Sequence, residues 1–299
     1  MSSPHCSLTP HGSARLSGAH NPVTMSDLII RRLLVDLQTP LPRHWNGGDA
    51  FRTALFNALS MSFPAGEQFF IDSVKKGLSA LPEAERGRFA AEARGFIGQE
   101  ATHRRIHQLF NEHLARQGLV NHWEPRIHRR LKRMEKLAGH EPRAWLAVTA
   151  ATEHLTALLA EYLFSHPEAL EGAEPRLRDM WLWHASEEHE HRCTAFDLYR
   201  ALGGNETWRL RLFRLVTWHF VTDVMRQTLH NLWRDGTWRQ AATWASAWRT
   251  LFGPAGIVRT QWRGWRRYTS PDFHPDEADG HKAERWLAEH AALVPPVRG

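Results

Sequence analysis

Two short stretches combine residue types that bind cations: Glu100-Ala101-Thr102-His103 and Glu188-His189-Glu190-His191, each a Glu-x-x-His unit. His184 stands four residues before Glu188, inside MWLWHASEEHEHRC. On a helix, His184, Glu188 and His191 fall within roughly 60° of one another, on a stripe shared with Leu177, Met180, Trp181 and Leu198. Burying a carboxylate and two imidazoles is costly unless a cation or charged partner offsets it, so the stripe points to a metal. One helix cannot complete a coordination sphere. Carboxylate-bridged dinuclear sites in four-helix bundles take one Glu-x-x-His unit from each of two helices and a single Glu from each of two others. The single glutamates are Glu67, in FPAGEQFF, and Glu153, in TATEHLTALL, which lie 33 residues before Glu100 and 35 before Glu188. The chain reads as two helix pairs, Glu first and Glu-x-x-His second.

These residues need four helices to position them. Phe89, Ala93, Phe96, Ile97, Ile106, Phe110 and Leu114 mark the apolar side of a helix from about Glu83 to Arg116. On it His107, one turn beyond His103, reads as a group behind the ligands or as an exposed residue. The Met180 stripe predicts a helix from Pro175 to Leu202, ended by Gly203-Gly204. Glu141-Pro142 opens a helix with Trp145, Leu146, Thr149, Glu153, Thr156 and Ala160 on one face. Asp49 caps a helix through Leu59, and Pro64 then opens a new one with Glu67 in its first turn. Glu161 is the rival to Glu153 and Glu187 the rival to Glu188, while His154 points away. Residues 122–138 read as a basic connecting helix with solvated arginines, and residues 29–37 as a short strand or helical turn.

Composition sets wider limits. At 299 residues the chain can bury a large core, and 42% apolar content is ordinary, whereas 14 Trp and 20 His suit a buried polar site and an interfacial surface. Cys6 and Cys193 make no disulfide framework. The first residues carry no signal pattern and no uncharged run of 18 apolar residues occurs, which predicts a cytoplasmic protein or one peripheral to the inner membrane. The expected organisation is a disordered extension over 1–24, an all-α dimetal helical bundle over 25–204, and a helical region over 205–299 packed on it, closing with a short helix over 279–291. From Trp208 to Tyr268 the last region holds eight Trp and eleven Arg but only two acids, Asp223 and Asp235. That pairing fits helices packed on the bundle with an arginine-rich outer face, or contact with an anionic membrane. No binding module accompanies the charge, which argues against nucleic acid.

The segments WNGGDAFRTALFNALSMSFPAGEQFF, GQEATHRRIHQ, TATEHLTALLAEYL, WHASEEHEHR and SPDFHP resemble the bacterial family of predicted metal-dependent hydrolases, of ferritin-like type, over roughly Trp45 to Pro275. The ligand order is also similar to that of the di-iron p-aminobenzoate N-oxygenases. Carried over by motif, that likeness implies ligation by Glu67, Glu100, His103, Glu153, His184, Glu188 and His191. Four carboxylates and two or three imidazoles suit two Fe ions, with Mn or Zn as alternatives. The leading expectation is an O2-dependent oxidase or oxygenase acting on a hydrophobic or lipid-like substrate, with an electron donor. The alternative is a hydrolase with a metal-bridging hydroxide as nucleophile. Non-enzymatic iron binding ranks third, and a homodimer is left open.

Overall fold

The computed structural model describes residues 28–139 and 141–297, so the expected extension and Cys6 lie outside the described residues. Within them the chain is all α, with isolated bridges in place of a sheet. Asp49 caps α1 (Ala50–Ala80), its carboxylate accepting from the Arg52 backbone N–H at 3.0 Å. Leu81-Pro82 then turns the chain into α2 (Glu83–Arg116). A connecting helix, α3 (Trp123–Ala138), leads to α4 (Pro142–Ser165), and a single 3-10 turn leads to α5 (Pro175–His191). Helices α1, α2, α4 and α5 carry the candidate ligands. α1 lies against both α2 and α4, and α4 against α5.

Two expected boundaries fail. Helix α1 does not restart at Pro64 but runs through it, which places Glu67 in mid-helix and not in a first turn. Proline has no N–H for the carbonyl of Ser60, four residues earlier. The Asn111 side chain from α2 supplies the missing donor, Nδ2 to Ser60 O at 2.9 Å, so the helix continues. The helix expected to reach Leu202 stops at His191 and resumes as α6 (Thr194–Ala201). There the Arg192 guanidinium donates to the carbonyl of His189, which Cys193 N–H would otherwise occupy, and to Pro275 O at 2.9 Å.

Residues 29–37 form neither a helical turn nor a strand within a sheet. They run extended beside the C-terminal segment, with Arg32 N to Pro295 O at 3.0 Å and Val297 N to Ile30 O at 2.8 Å. This segment lies directly on α2. A Cβ at Gly95 would fall 2.5 Å from Leu28 Cβ and 2.9 Å from its carbonyl oxygen. Only glycine permits that approach, which brings Arg31 into the bundle.

Beyond α6 come α7 (Glu206–Asp235), α8 (Ala241–Phe252) and α9 (Ile257–Arg267). α7 covers α1 and α4, α8 lies on α1, and α9 on α4. Helix α10 (His281–Glu289) packs against α5 and buries Trp286 and Leu287, as the pattern of residues 279–291 predicts. His274 just before it bonds Asp197 of α6 through Nε2 at 2.8 Å, anchoring the final segment.

Candidate metal centre

Helix α1 contributes Glu67, α2 contributes Glu100, His103 and His107, α4 contributes Glu153, and α5 contributes His184, Glu188 and His191; each is at most 3% exposed. Two apolar clusters flank them. Phe63 lays its ring 4.7 Å from that of His184, and Phe96 lies 4.8 Å from His191 on the other side. Glu100, His103, Glu188 and His191 each present one ligating atom within 4.8 Å of the others. Glu67, His107 and His184 form a second such group. Glu188 links the two, because its Oε1 lies 2.8 Å from His184 Nε2 and 3.8 Å from both His103 Nδ1 and His191 Nε2.

The hydrogen bonds leave a specific set of atoms unused. His103 Nε2 pairs with Glu187 Oε2 at 2.9 Å, leaving its Nδ1 bare. His191 Nδ1 pairs with Glu153 Oε2 at 2.9 Å, leaving Nε2 bare. Both oxygens of Glu67 and of Glu100, Glu153 Oε1 and Glu188 Oε2 also lack hydrogen-bond partners. Orphaned buried polar atoms are rare and costly. Here they converge, and a pair of divalent cations fits their number, their oxygen and imidazole chemistry and their negative charge.

Tautomers can be read outward from Asn111. Its Nδ2 faces the Ser60 carbonyl, so its Oδ1 faces Ser60 Oγ at 2.8 Å and the hydroxyl donates to it. Ser60 Oγ then accepts from His107 Nδ1 at 2.8 Å, and a neutral His107 accepts through Nε2 from His184 Nδ1 at 2.6 Å. In a neutral His184 this directs the Nε2 lone pair at Glu188 Oε1, a contact that requires a proton or a cation between them. His107 is therefore buried behind His184 and not exposed, and its Nε2 orients that ring. Its signal in the sequence was its place one turn after His103, which does not say on which side of the helix the neighbours close.

The charges follow the same logic. Burial first, then the neighbouring Glu153 and Glu188 carboxylates, hold Glu100 well above the usual carboxylate range. Burial and Glu188 likewise raise Glu67. Burial and Glu188 bring Glu153 to about 7, against the pull of His191. Burial opposes protonation of His191, but the Glu153 carboxylate outweighs it and raises that ring to about 9. Burial, with the neighbouring His184, holds His103 and His107 well below the usual histidine value.

The rivals take other places. Glu161 accepts from Ser165 Oγ at 2.6 Å, and His154 bonds the carbonyl of Gly264 at 3.1 Å. Glu187 is buried between His103 and Arg31, the latter at 3.2 Å, and Arg31 also holds Glu190 at 2.7 Å. Arg31 carried no signal in the sequence, since only the chain path beside Gly95 delivers it. The arginines of α3 are not all solvated, because Arg126 Nε donates to the buried Asp223 at 2.8 Å and Arg130 to its other oxygen.

The family model described as predicted metal-dependent hydrolase matches residues 29–279. The chain belongs to that family. The match takes in every candidate ligand, together with Arg31, Asn111 and α7 to α9. No curated protein and no solved structure matches it.

Proposed function

We propose that the protein is a dinuclear metal-dependent hydrolase of ferritin-like architecture, with Glu67, Glu100, His103, Glu153, His184, Glu188 and His191 holding two divalent cations. The observation that carries this reading is the convergence of partnerless oxygen and nitrogen atoms from four helices on one buried volume. Family membership favours hydrolysis over the oxygenase expectation. Bound there, two cations would polarise a carbonyl or phosphoryl oxygen and activate water without a redox change. The chain's own residues do the rest: Glu187 and His107 orient His103 and His184, and Phe63 and Phe96 keep bulk water out. The test is elemental analysis of the purified protein, then a panel of esters and phosphoesters with Zn, Mn or Fe(II) restored under nitrogen. Turnover without O2 supports the proposal. O2 consumption with Fe(II) and no hydrolysis returns the reading to a di-iron oxidase.

A second element of the proposal is contact with an anionic membrane. Helix α7 buries Arg209, Asp223, Gln227 and Asn231 while exposing Trp208, Leu215, Trp218, Met225, Leu229 and Trp233. Trp244 and Trp248 on α8 and Trp262 on α9 are exposed too, among exposed Arg211, Arg214, Arg249, Arg259 and Arg263. The three acids of α7 to α9 are all paired, Glu206 with Arg200 and Arg209, Asp223 with Arg126 and Arg130, and Asp235 with Arg43 and His44. Outward tryptophan and arginine, with each acid of these helices paired to a cation, supports contact with an anionic lipid interface.

A further inference from the structure

A cavity of about 1150 Å³ lies between α1, α3, α4 and α7 and ends at Glu67 and Glu188. Its α4 wall is a single face, Ala144, Val148, Thr152 and Thr156, spaced by four residues. Twelve residues of helix span about 18 Å, so the cavity is long. The opposite walls repeat the pattern with Leu212, Val216 and Phe220 on α7 and Ile127, Leu131 and Met134 on α3. Its deep end is fixed by Thr156, Phe63 and the two glutamates. Trp123 and Phe220, whose rings pack 5.7 Å apart, tie α3 to α7 within its wall. The other end reaches the surface at Leu137, 78% exposed, and Trp208, 53% exposed, the latter on the outward Trp/Arg face. The walls are mainly apolar, although Arg130, Arg133, Arg143, His219 and Asp223 also line them; the deep end carries the two glutamates, and the mouth opens at the face described above.

We infer that this channel binds the alkyl or acyl chain of a single-chain amphiphile, with the polar, hydrolysable group at the glutamate end and the tail running to the mouth. As a substrate assignment, this rests on the hydrolase reading; as a binding site, it rests on the cavity alone. An extended chain advances ~1.2 Å per bond, so 18 Å accommodates roughly 15 chain bonds. A tail longer than the channel emerges at Trp208, where a lipid surface would receive it.

The test separates the site from the reaction. Binding of uncharged n-alkanols from six to eighteen carbons to the purified full-length protein is followed by displacement of a fluorescent fatty acid. Affinity is expected to rise about fourfold per methylene and to level off at roughly 15 carbons. Thr152→Trp, deep in the channel, should bring the plateau to shorter chains than Ala144→Trp, near the mouth. A flat series in the wild-type protein overturns the inference whether or not the variants fold, and so do identical plateaus in the two folded variants. p-Nitrophenyl esters of the same chain lengths are then assayed for hydrolysis. A chain-length series in binding with no ester turnover leaves the channel standing and removes the hydrolase reading. Turnover of short esters with flat alkanol binding does the reverse.

Discussion

At the scale of single residues, the site depends on partners that occupy one side of each histidine and leave the other side bare. His103 gives Nε2 to Glu187 and His191 gives Nδ1 to Glu153, so each ring has one nitrogen left for a cation. Replacing Glu100 or Glu188 by Ala is expected to abolish loading of two metals per chain, read by elemental analysis, whereas Glu161→Ala, outside the cluster, should load normally. Two metals retained in either ligand variant would overturn the assignment. His274 gives a pH signature away from the site. Its bond to Asp197 raises its pKa above the ordinary 6.5, against the effect of burial. A histidine raised on folding contributes stability that is complete below its unfolded pKa and is lost as pH rises through the folded value. His274→Ala should therefore destabilise more at pH 5.5 than at pH 9 in urea titrations, and an equal loss at both would exclude a charged pair.

At the scale of elements, α1 is one helix because a neighbour repairs its proline. Asn111→Ala removes the donor for the buried Ser60 carbonyl and should cost about 1–3 kcal/mol, the penalty for a buried polar group left unpaired. Adding Pro64→Ala to that variant restores the main-chain N–H and should recover much of the loss. A double-mutant cycle by chemical denaturation measures this, and strictly additive effects would show that the two sites do not communicate. That the chain is helical up to Leu59 and again from Pro64 was readable from Asp49 and Pro64, but the continuity of α1 was not, since the rescuing amide comes from position 111. The boundaries of α2 and α4 were legible because periodicity, Pro142 and the change of pattern after Arg116 agree. The break after His191 was hidden, since Arg192 and Cys193 both keep helical angles and the cause is a contact with Pro275.

At the scale of the whole molecule, the bundle brings buried carboxylates together and α7 to α9 place a tryptophan and arginine surface over α1 and α4. Removal of metal by a chelator should lower the melting temperature, because cations bound only to the folded state add stability. No change in a metal-replete sample would argue that the cluster is satisfied without them. Flotation with vesicles containing phosphatidylglycerol should recover the protein and weaken with salt, and Trp218→Ser with Trp248→Ser should reduce it. Equal binding to neutral vesicles would remove the electrostatic part of that proposal. Among the described residues no helix is long and apolar enough to cross a membrane.

By itself the sequence determined the all-α class and picked out the two Glu-x-x-His units with Glu67 and Glu153 as candidate companions, all of which the fold buries, because helical spacing is a local property that fixes which side chains share a face. The tertiary structure alone decided that His107 stands behind His184, that Arg31 and Glu187 brace His103, that α3 and α7 are joined through Asp223, and that an apolar channel ends at Glu67 and Glu188. Each of these depends on residues far apart in the chain. Which groups meet across helices is set by how whole faces pack, and no local spacing encodes that.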